Sequence, residues 1–479
     1  MTERQSVFPD RKFCTEFLVL PQKPSPDGTR VWYSEDSDLS IINYIEYRTR
    51  SQVILCPASS TELKEKIDRY YGGNNHREIF KSPGIDNNNV PENPVVGETV
   101  ERIDRLIGMS IRDNVSDLHF EPGERELTCR MRLDGVLHER EKIARAKTPE
   151  IISRLKIMAG LDIAEKRRPQ DGRIRFRYEE RMVDIRVSVI PTDFGEKIVL
   201  RILDKQNMNL DLNMIGFSPE QLKLFRDKIR LPHGIILITG PTGSGKTTTL
   251  YAALNSLRSP LVNISTVEDP IEYNLEGINQ TQVKPEISLT FAVMLRALLR
   301  QDPDIIMIGE IRDKETLDIA IRASLTGHLV LSTVHTNNAV ATITRLIDMG
   351  AEPFLLASCL KLVVAQRLVR RNCQSCRQYG WDDSNRAAAG KVGIEPGFDG
   401  VYGKGCRDCH GIGYLGRTAL CEVLSINEIL RNAILDKRGE AEILSWAKKN
   451  GFKTMDETAR EIIRTGVTTP CEVLRETSV

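Results

Sequence analysis

Eight consecutive residues, Gly240-Pro241-Thr242-Gly243-Ser244-Gly245-Lys246-Thr247, constrain this chain more than any other stretch. They fit G-x-x-x-x-G-K-[ST] and follow directly on the apolar run Gly234-Ile235-Ile236-Leu237-Ile238-Thr239, which places the pattern where a strand passes into a helix. Gly240, Gly243 and Gly245 let the backbone curl tightly enough to aim its N–H groups at phosphate oxygens. A helix expected over about 246–258 adds its N-terminal dipole. Lys246 would reach the β- and γ-phosphates, Thr247 would offer a hydroxyl to Mg2+, and Thr248 completes the nucleotide-binding run. A glycine-rich turn that binds nothing does not account for the full match in this strand–loop–helix context. The stretch reads as a nucleoside triphosphate site.

At 479 residues the chain exceeds one core, so two to four domains are expected. Hydrophobic residues make up 40% and charged residues 28%, as in a soluble globular protein. Sixty-seven Lys and Arg against 66 Asp and Glu give +1, so no global field draws the chain to nucleic acid or anionic lipid. No apolar run approaches a membrane span, and the start at Met1 has no signal-peptide pattern. A cytoplasmic protein with ten reduced cysteines is expected.

Taken in order, residues 1–73 suggest a small α+β module for structure or interaction. Val53-Ile54-Leu55-Cys56 reads as a strand, and Ser59-Ser60-Thr61-Glu62 as a capping box. The helix it opens carries Leu63, Ile67, Tyr70 and Tyr71 on one face and stops at Gly72-Gly73. Residues 74–98, with Asn87-Asn88-Asn89 and several prolines, read as a linker. Residues 99–208 form an arginine-rich, PAS-like α+β sheet domain. There Val100, Ile103, Ile107 and Ile111 mark an amphipathic helix. Leu127/Cys129/Met131/Leu133, Ile174/Phe176/Tyr178 and Val183/Ile185/Val187/Val189 mark strands, and Asp134-Gly135 a hairpin. Residues 209–479 alternate strands and helices as a doubly wound, RecA-like α/β sheet should. Ligands bind outside the carboxyl ends of such strands, so Thr239, Glu268 and Glu310 would converge on one crevice, and His335 stands at a further strand end.

Four blocks in this order resemble the secretion ATPases of type II secretion and type IV pilus assembly. They are the P-loop, Ile264–Tyr273, Asp302–Asp313 and Thr326–Asn338. Ser116-Asp117-Leu118-His119-Phe120-Glu121-Pro122, Leu133-Asp134-Gly135-Val136-Leu137, Arg168-Pro169-Gln170-Asp171-Gly172-Arg173 and Gly416-Arg417-Thr418-Ala419 add to the match, which covers about 95–475. The region ahead of it is short by that family's pattern. The resemblance implies a cytoplasmic homo-hexamer that hydrolyses ATP to assemble a pilus or pseudopilus. It would associate peripherally with the inner membrane through a platform protein and a membrane-anchored docking protein. The resemblance further implies that Glu310 orients or activates the attacking water, and that Glu268 polarises it or supports Mg2+. His335 would sense the γ-phosphate, and His328 would orient a loop. Gly309 stands where many P-loop enzymes carry an aspartate, so Mg2+ would lean on Thr247, phosphates and water. The sheet domain would supply Arg186 and Arg201, with Arg173 as an accessory, to phosphates on domain closure; solvating the sheet is the alternative for all three.

Cys373-Gln374-Ser375-Cys376 and Cys406-Arg407-Asp408-Cys409 are two C-x-x-C knuckles inside an element spanning about 370–415. Two residues between thiolates direct both sulfurs at one ion, so the pair suits a structural four-cysteine zinc site in a C-terminal lobe. Four unliganded thiols, or His410 as a substitute ligand, are the alternatives. By the resemblance, assembly and secretion motors carry this element and retraction motors lack it. A nucleic-acid motor is the competing function, opposed by the +1 balance and by the want of a basic stripe with interleaved aromatics. A non-hydrolysing regulatory subunit is a third, opposed by the intact Lys246, Thr247, Glu268 and Glu310.

Overall fold

The computed structural model describes residues 14, 19–21, 29–34, 53–63, 66–67, 95–204 and 210–477. It divides into two compact units, Met1–Asn93 and Pro94–Val479. In the first unit, β1 (Val19–Pro21) pairs antiparallel with β2 (Thr29–Tyr33), which pairs parallel with β3 (Val53–Pro57). Cys14, Leu20, Leu63 and Ile67 make its small core. The Glu62 N–H donates to Ser59 Oγ at 3.3 Å and the Ser59 N–H to Glu62 Oε2 at 3.1 Å, the reciprocal bonds of a capping box. The expected positions of Tyr70, Tyr71 and Gly72-Gly73, and residues 74–94 of the expected linker, lie outside the described residues. Residues 95–98 are helical.

The second unit opens with the helix Val95–Arg112 and a six-stranded antiparallel sheet. Its strands are β4 (Asp117–Pro122), β5 (Glu126–Leu133), β6 (Val136–Ala144), β7 (Gln170–Tyr178), β8 (Arg181–Thr192) and β9 (Gly195–Leu203), in the order β6-β5-β4-β9-β8-β7. Alternation decides the faces: Val183, Ile185, Val187 and Val189 are buried with Ile103, Ile107 and Leu155 of the helices, while the residues between them face outward. Asp134 and Gly135 turn β5 into β6 with φ of 46° and 86°, as a tight hairpin of the correct twist requires. Lys156 and Glu196 form a buried ion pair at 2.7 Å, and Lys156 Nζ also donates to the Glu165 carbonyl at 2.6 Å. That bond ties down the loop carrying Arg167 and Arg168.

The strands that follow are β10 (Gly234–Thr239), β11 (Ile264–Glu268), β12 (Asn279–Gln282), β13 (Ile305–Ile308), β14 (Leu329–Val334), β15 (Leu360–Asn372), the short pair β16 (Arg377–Tyr379) and β17 (Val401–Gly403), and β18 (Tyr414–Ser425). Seven of them form one sheet in the order β12-β11-β13-β14-β10-β15-β18, parallel throughout except for β18. One face packs on the helices Pro219–Ile229 and Lys246–Leu257 through Phe225, Leu250 and Leu254. The other packs on helices carrying Leu295, Leu317, Ile343, Leu356 and Ile443. This is the doubly wound α/β sheet that the sequence pattern predicts. The edge strands β12 and β18 are not part of that expectation. Polar Asn279-Gln280-Thr281-Gln282 carries no apolar signal, and β15–β18 is buried on both faces, so no alternation marks it.

Candidate functional site

The run Gly234–Thr239 is buried at every position and ends where the Gly240–Gly245 loop begins. Gly240, Gly243 and Gly245 all have positive φ. A Cβ on Gly240 would lie 2.3 Å from the Gln366 carbonyl oxygen, so no larger residue fits. Gly245 caps the helix Lys246–Leu257 in the left-handed region, turning the loop's N–H groups inward. Pro241, Thr242, Gly243, Thr247 and Thr248 are exposed around the loop mouth, and Ser244 is buried inside it. Lys246 Nζ donates to the carbonyls of Gly240 and Pro241 at 2.8 and 3.0 Å. Burial pushes its ammonium below the ordinary value; the field of Glu310 opposes this and that of Arg367 adds to it. Glu310 therefore lies within electrostatic reach of the loop.

Glu310 follows β13, and its buried carboxylate is held on both oxygens. Arg312 reaches Oε1 at 2.5 Å and His335 Nε2 reaches Oε2 at 3.2 Å. The structure thus joins Glu310 to His335 and adds Arg312, which sequence reading missed. The loop bearing His335 is fastened to the end of β10, where the Thr336 N–H donates to Thr239 Oγ1 at 2.8 Å. His328 sits earlier, its Nδ1 2.8 Å from the Ala323 carbonyl, bracing the turn into β14. Glu268 is buried at the end of β11 and takes hydrogen bonds from Thr266 Oγ1 at 2.6 Å, Gln280 Nε2 at 3.0 Å and the Tyr251 hydroxyl. Burial and the neighbouring Glu268 raise the Tyr251 phenol above its ordinary value, keeping it a donor. Neither Tyr251 nor Gln280 carries a sequence signal.

The three arginines singled out in the sheet domain occupy directly opposed positions: Arg173 faces Arg186, and Arg186 faces Arg201. The row continues to Asp117 and Arg132 on the neighbouring strands. Arg186 bonds Glu272 Oε2 at 3.2 Å and the Ile271 carbonyl at 2.9 Å, tying the sheet domain to the segment after Glu268. Arg201 Nε bonds Asp117 Oδ1 at 2.8 Å. Arg173 is exposed. A cavity of about 490 Å³ opens between the sheet domain, the start of the Lys246–Leu257 helix and β15–β18; Ile111, Ile202, Ile215, Tyr273, Gly245 and Thr248 are in its lining.

The second centre lies in the C-terminal lobe. The sulfurs of Cys373, Cys376, Cys406 and Cys409 all fall within 4.8 Å of one another, with Cys373–Cys406 and Cys376–Cys409 at 3.8 Å and Cys406–Cys409 at 3.7 Å. A tetrahedron with Zn–S bonds of about 2.3 Å has edges of about 3.8 Å, so the thiols fit zinc. Backbone N–H groups of Cys406 and Gly413 each donate to Cys409 Sγ at 3.2 Å, and that of Gly405 donates to Cys376 Sγ at 3.3 Å. Burial opposes ionisation of Cys409, but these donors hold its thiol below the ordinary value. His410 turns away from the cluster, its Nε2 3.9 Å from Asp113. Trp381, Leu420 and Ile463 belong to a separate small core of buried residues.

A family profile described as Type II/IV secretion system protein matches residues 96–475. The chain is 50% identical to a Type II secretion system protein E of Pseudomonas aeruginosa over 79% of its own length and 75% of the relative's. It is 40% identical to the Type IV pilus assembly ATPase PilB of Myxococcus xanthus over 98% of its length and 86% of the relative's. Among solved structures it is similar to the pilus retraction motor PilT with bound ADP: TM-score 0.52, 25% identity, 78% of this chain and 96% of that one. Among the described residues no helix is long and apolar enough to cross a membrane.

Proposed function

We propose, for a chain that belongs to the Type II/IV secretion system protein family, a hydrolytic cycle in which two domains share one nucleotide. As a member of that family it is an ATPase of secretion or pilus assembly. The observation that carries our reading is that the Gly240–Thr247 loop and Glu310 leave strands of one sheet, with Glu310 in electrostatic reach of Lys246, while Arg186 of the arginine row in the sheet domain bonds the segment after Glu268.

In this reading the loop N–H groups and Lys246 hold the phosphates, and the half-apolar cavity beside Gly245 and Thr248 takes the base. Glu310 orients the attacking water. Arg312 and His335 fix the carboxylate's direction, because each occupies one oxygen and leaves a lone pair free. Glu268, pinned by three donors, acts by holding the floor of the crevice rigid. Mg2+ suits the hard oxygen donor offered by the exposed Thr247 hydroxyl and would neutralise charge on the phosphate oxygens when bound. Zinc would be held by the four cysteines as a structural ion, since four protein ligands leave no open position. A homo-hexamer, cytoplasmic and docked on the inner membrane through a platform protein and an anchored partner, is the assembly that this cycle would drive.

The arginine row gives the domain motion its electrostatic reason. Like charges placed directly opposite on a sheet repel, and the anions beside Arg186 and Arg201 are Glu272 and Asp117. A γ-phosphate arriving on closure would relieve that repulsion and take its transition-state charge from the same guanidinium groups. Arg186→Ala and Arg201→Ala, tested for folding and then for turnover in the assembled protein, should each lower kcat by about 10²-fold while weakening ATP binding only modestly. Unchanged turnover in both would confine the chemistry to the nucleotide-binding domain.

A further inference from the structure

No motif marks Gln366, yet it is 1% exposed and lies directly beneath the phosphate loop. The register explains its place. Ala365 on β15 pairs with Thr239, the last residue of β10, so Gln366 comes level with the loop as the loop leaves the sheet. Its Nε2 donates to the Ser244 carbonyl at 2.7 Å, and its Oε1 accepts from Thr249 Oγ1 at 2.9 Å. A carbonyl can only accept, so the Ser244 contact fixes which end of the carboxamide faces the loop. Its own carbonyl oxygen fills the space a Cβ on Gly240 would need, and its Nε2 lies 2.9 Å from where a Cβ on Gly245 would stand.

We propose that Gln366 is a positioning residue for phosphate binding. A trans peptide is planar, with its C=O and N–H pointing in opposite directions. Holding the Ser244 carbonyl down toward β15 therefore turns the Gly245 N–H up into the loop, where a phosphate oxygen accepts it. The neighbouring Arg367 extends the anchorage to the other side of the sheet: Nη2 donates to the Asn337 carbonyl at 3.1 Å, in the loop that follows His335. Successive residues of a strand point to opposite faces. Gln366 and Arg367 thus hold the phosphate loop and the histidine loop from a single strand.

This inference rests on the nucleotide-site reading, and the test separates the two. ADP and adenosine are titrated directly into the full chain and its variants. Gln366→Met keeps the length and bulk of the side chain but has no donor. It should bind ADP about 10-fold more weakly than the wild type and adenosine equally well, because only the phosphates use the aligned N–H. Gln366→Glu should bind ADP poorly at about pH 8, where a carboxylate faces a carbonyl, and recover by about pH 6, because a buried carboxyl protonates early and then donates as the amide does. The wild type should show no such recovery. A wild-type chain that does not bind ADP overturns both readings. ADP affinity unchanged in Gln366→Met, equal losses of ADP and adenosine, or no recovery in Gln366→Glu overturns the positioning role alone.

Discussion

Glu310→Gln should bind ATP nearly as the wild type does and hydrolyse it about 10³-fold more slowly. The substitution keeps the shape of the side chain and one oxygen to accept from Arg312, while its amide can face His335 Nε2 in the tautomer that accepts. What disappears is the negative charge that aligns and deprotonates water. Lys246→Ala should fail in the opposite way, losing about 10- to 100-fold in nucleotide affinity along with the charge-assisted bonds to phosphate. Separating affinity from turnover by equilibrium binding and single-turnover measurements distinguishes the two. Wild-type hydrolysis by Glu310→Gln would sink the role given to that carboxylate.

The second large effect concerns the metal. Freshly purified protein should contain about one zinc per chain, and a strong chelator or Cys409→Ser should release it. The hairpins around the cluster are built on close backbone approach: a Cβ on Gly403 would stand 1.9 Å from the Gly413 carbonyl oxygen. The metal ties the two knuckles to one point, so its loss should loosen the lobe locally. Trp381, 1% exposed and packed edge-on against Phe398 at 5.6 Å between ring centroids, reports that loosening through red-shifted emission. ADP binding should persist, because the phosphate loop belongs to a different core. Protein never exposed to chelator yet free of zinc by elemental analysis would refute the assignment.

The two centres differ in how far the sequence reveals them. The phosphate loop and the cysteine knuckles are contiguous motifs whose spacing already encodes their geometry, so both could be read directly. So could the strands before Glu310 and His335, because a strand's direction fixes which end meets the ligand. The alternating strands of the sheet domain were equally plain, since one buried face imposes period two. The pairing of those strands was not, and the arginine row exists only through it. Arg186 and Arg201 are neighbours because β8 and β9 pair in one register, and a shift of one residue would send them to opposite faces.

Composition and local pattern therefore determined, without any coordinates, that this chain has a phosphate-binding α/β domain, an arginine-rich sheet domain and a lobe with a four-cysteine cluster. Only the tertiary structure decided what each functional side chain rests against: Arg312 on Glu310, Tyr251 and Gln280 on Glu268, Gln366 under Ser244. The physical reason is separation along the chain. Gln366 and Ser244 stand 122 residues apart, and a hydrogen bond across such a distance leaves no periodicity in the sequence, because the fold that closes it is a property of all the intervening packing.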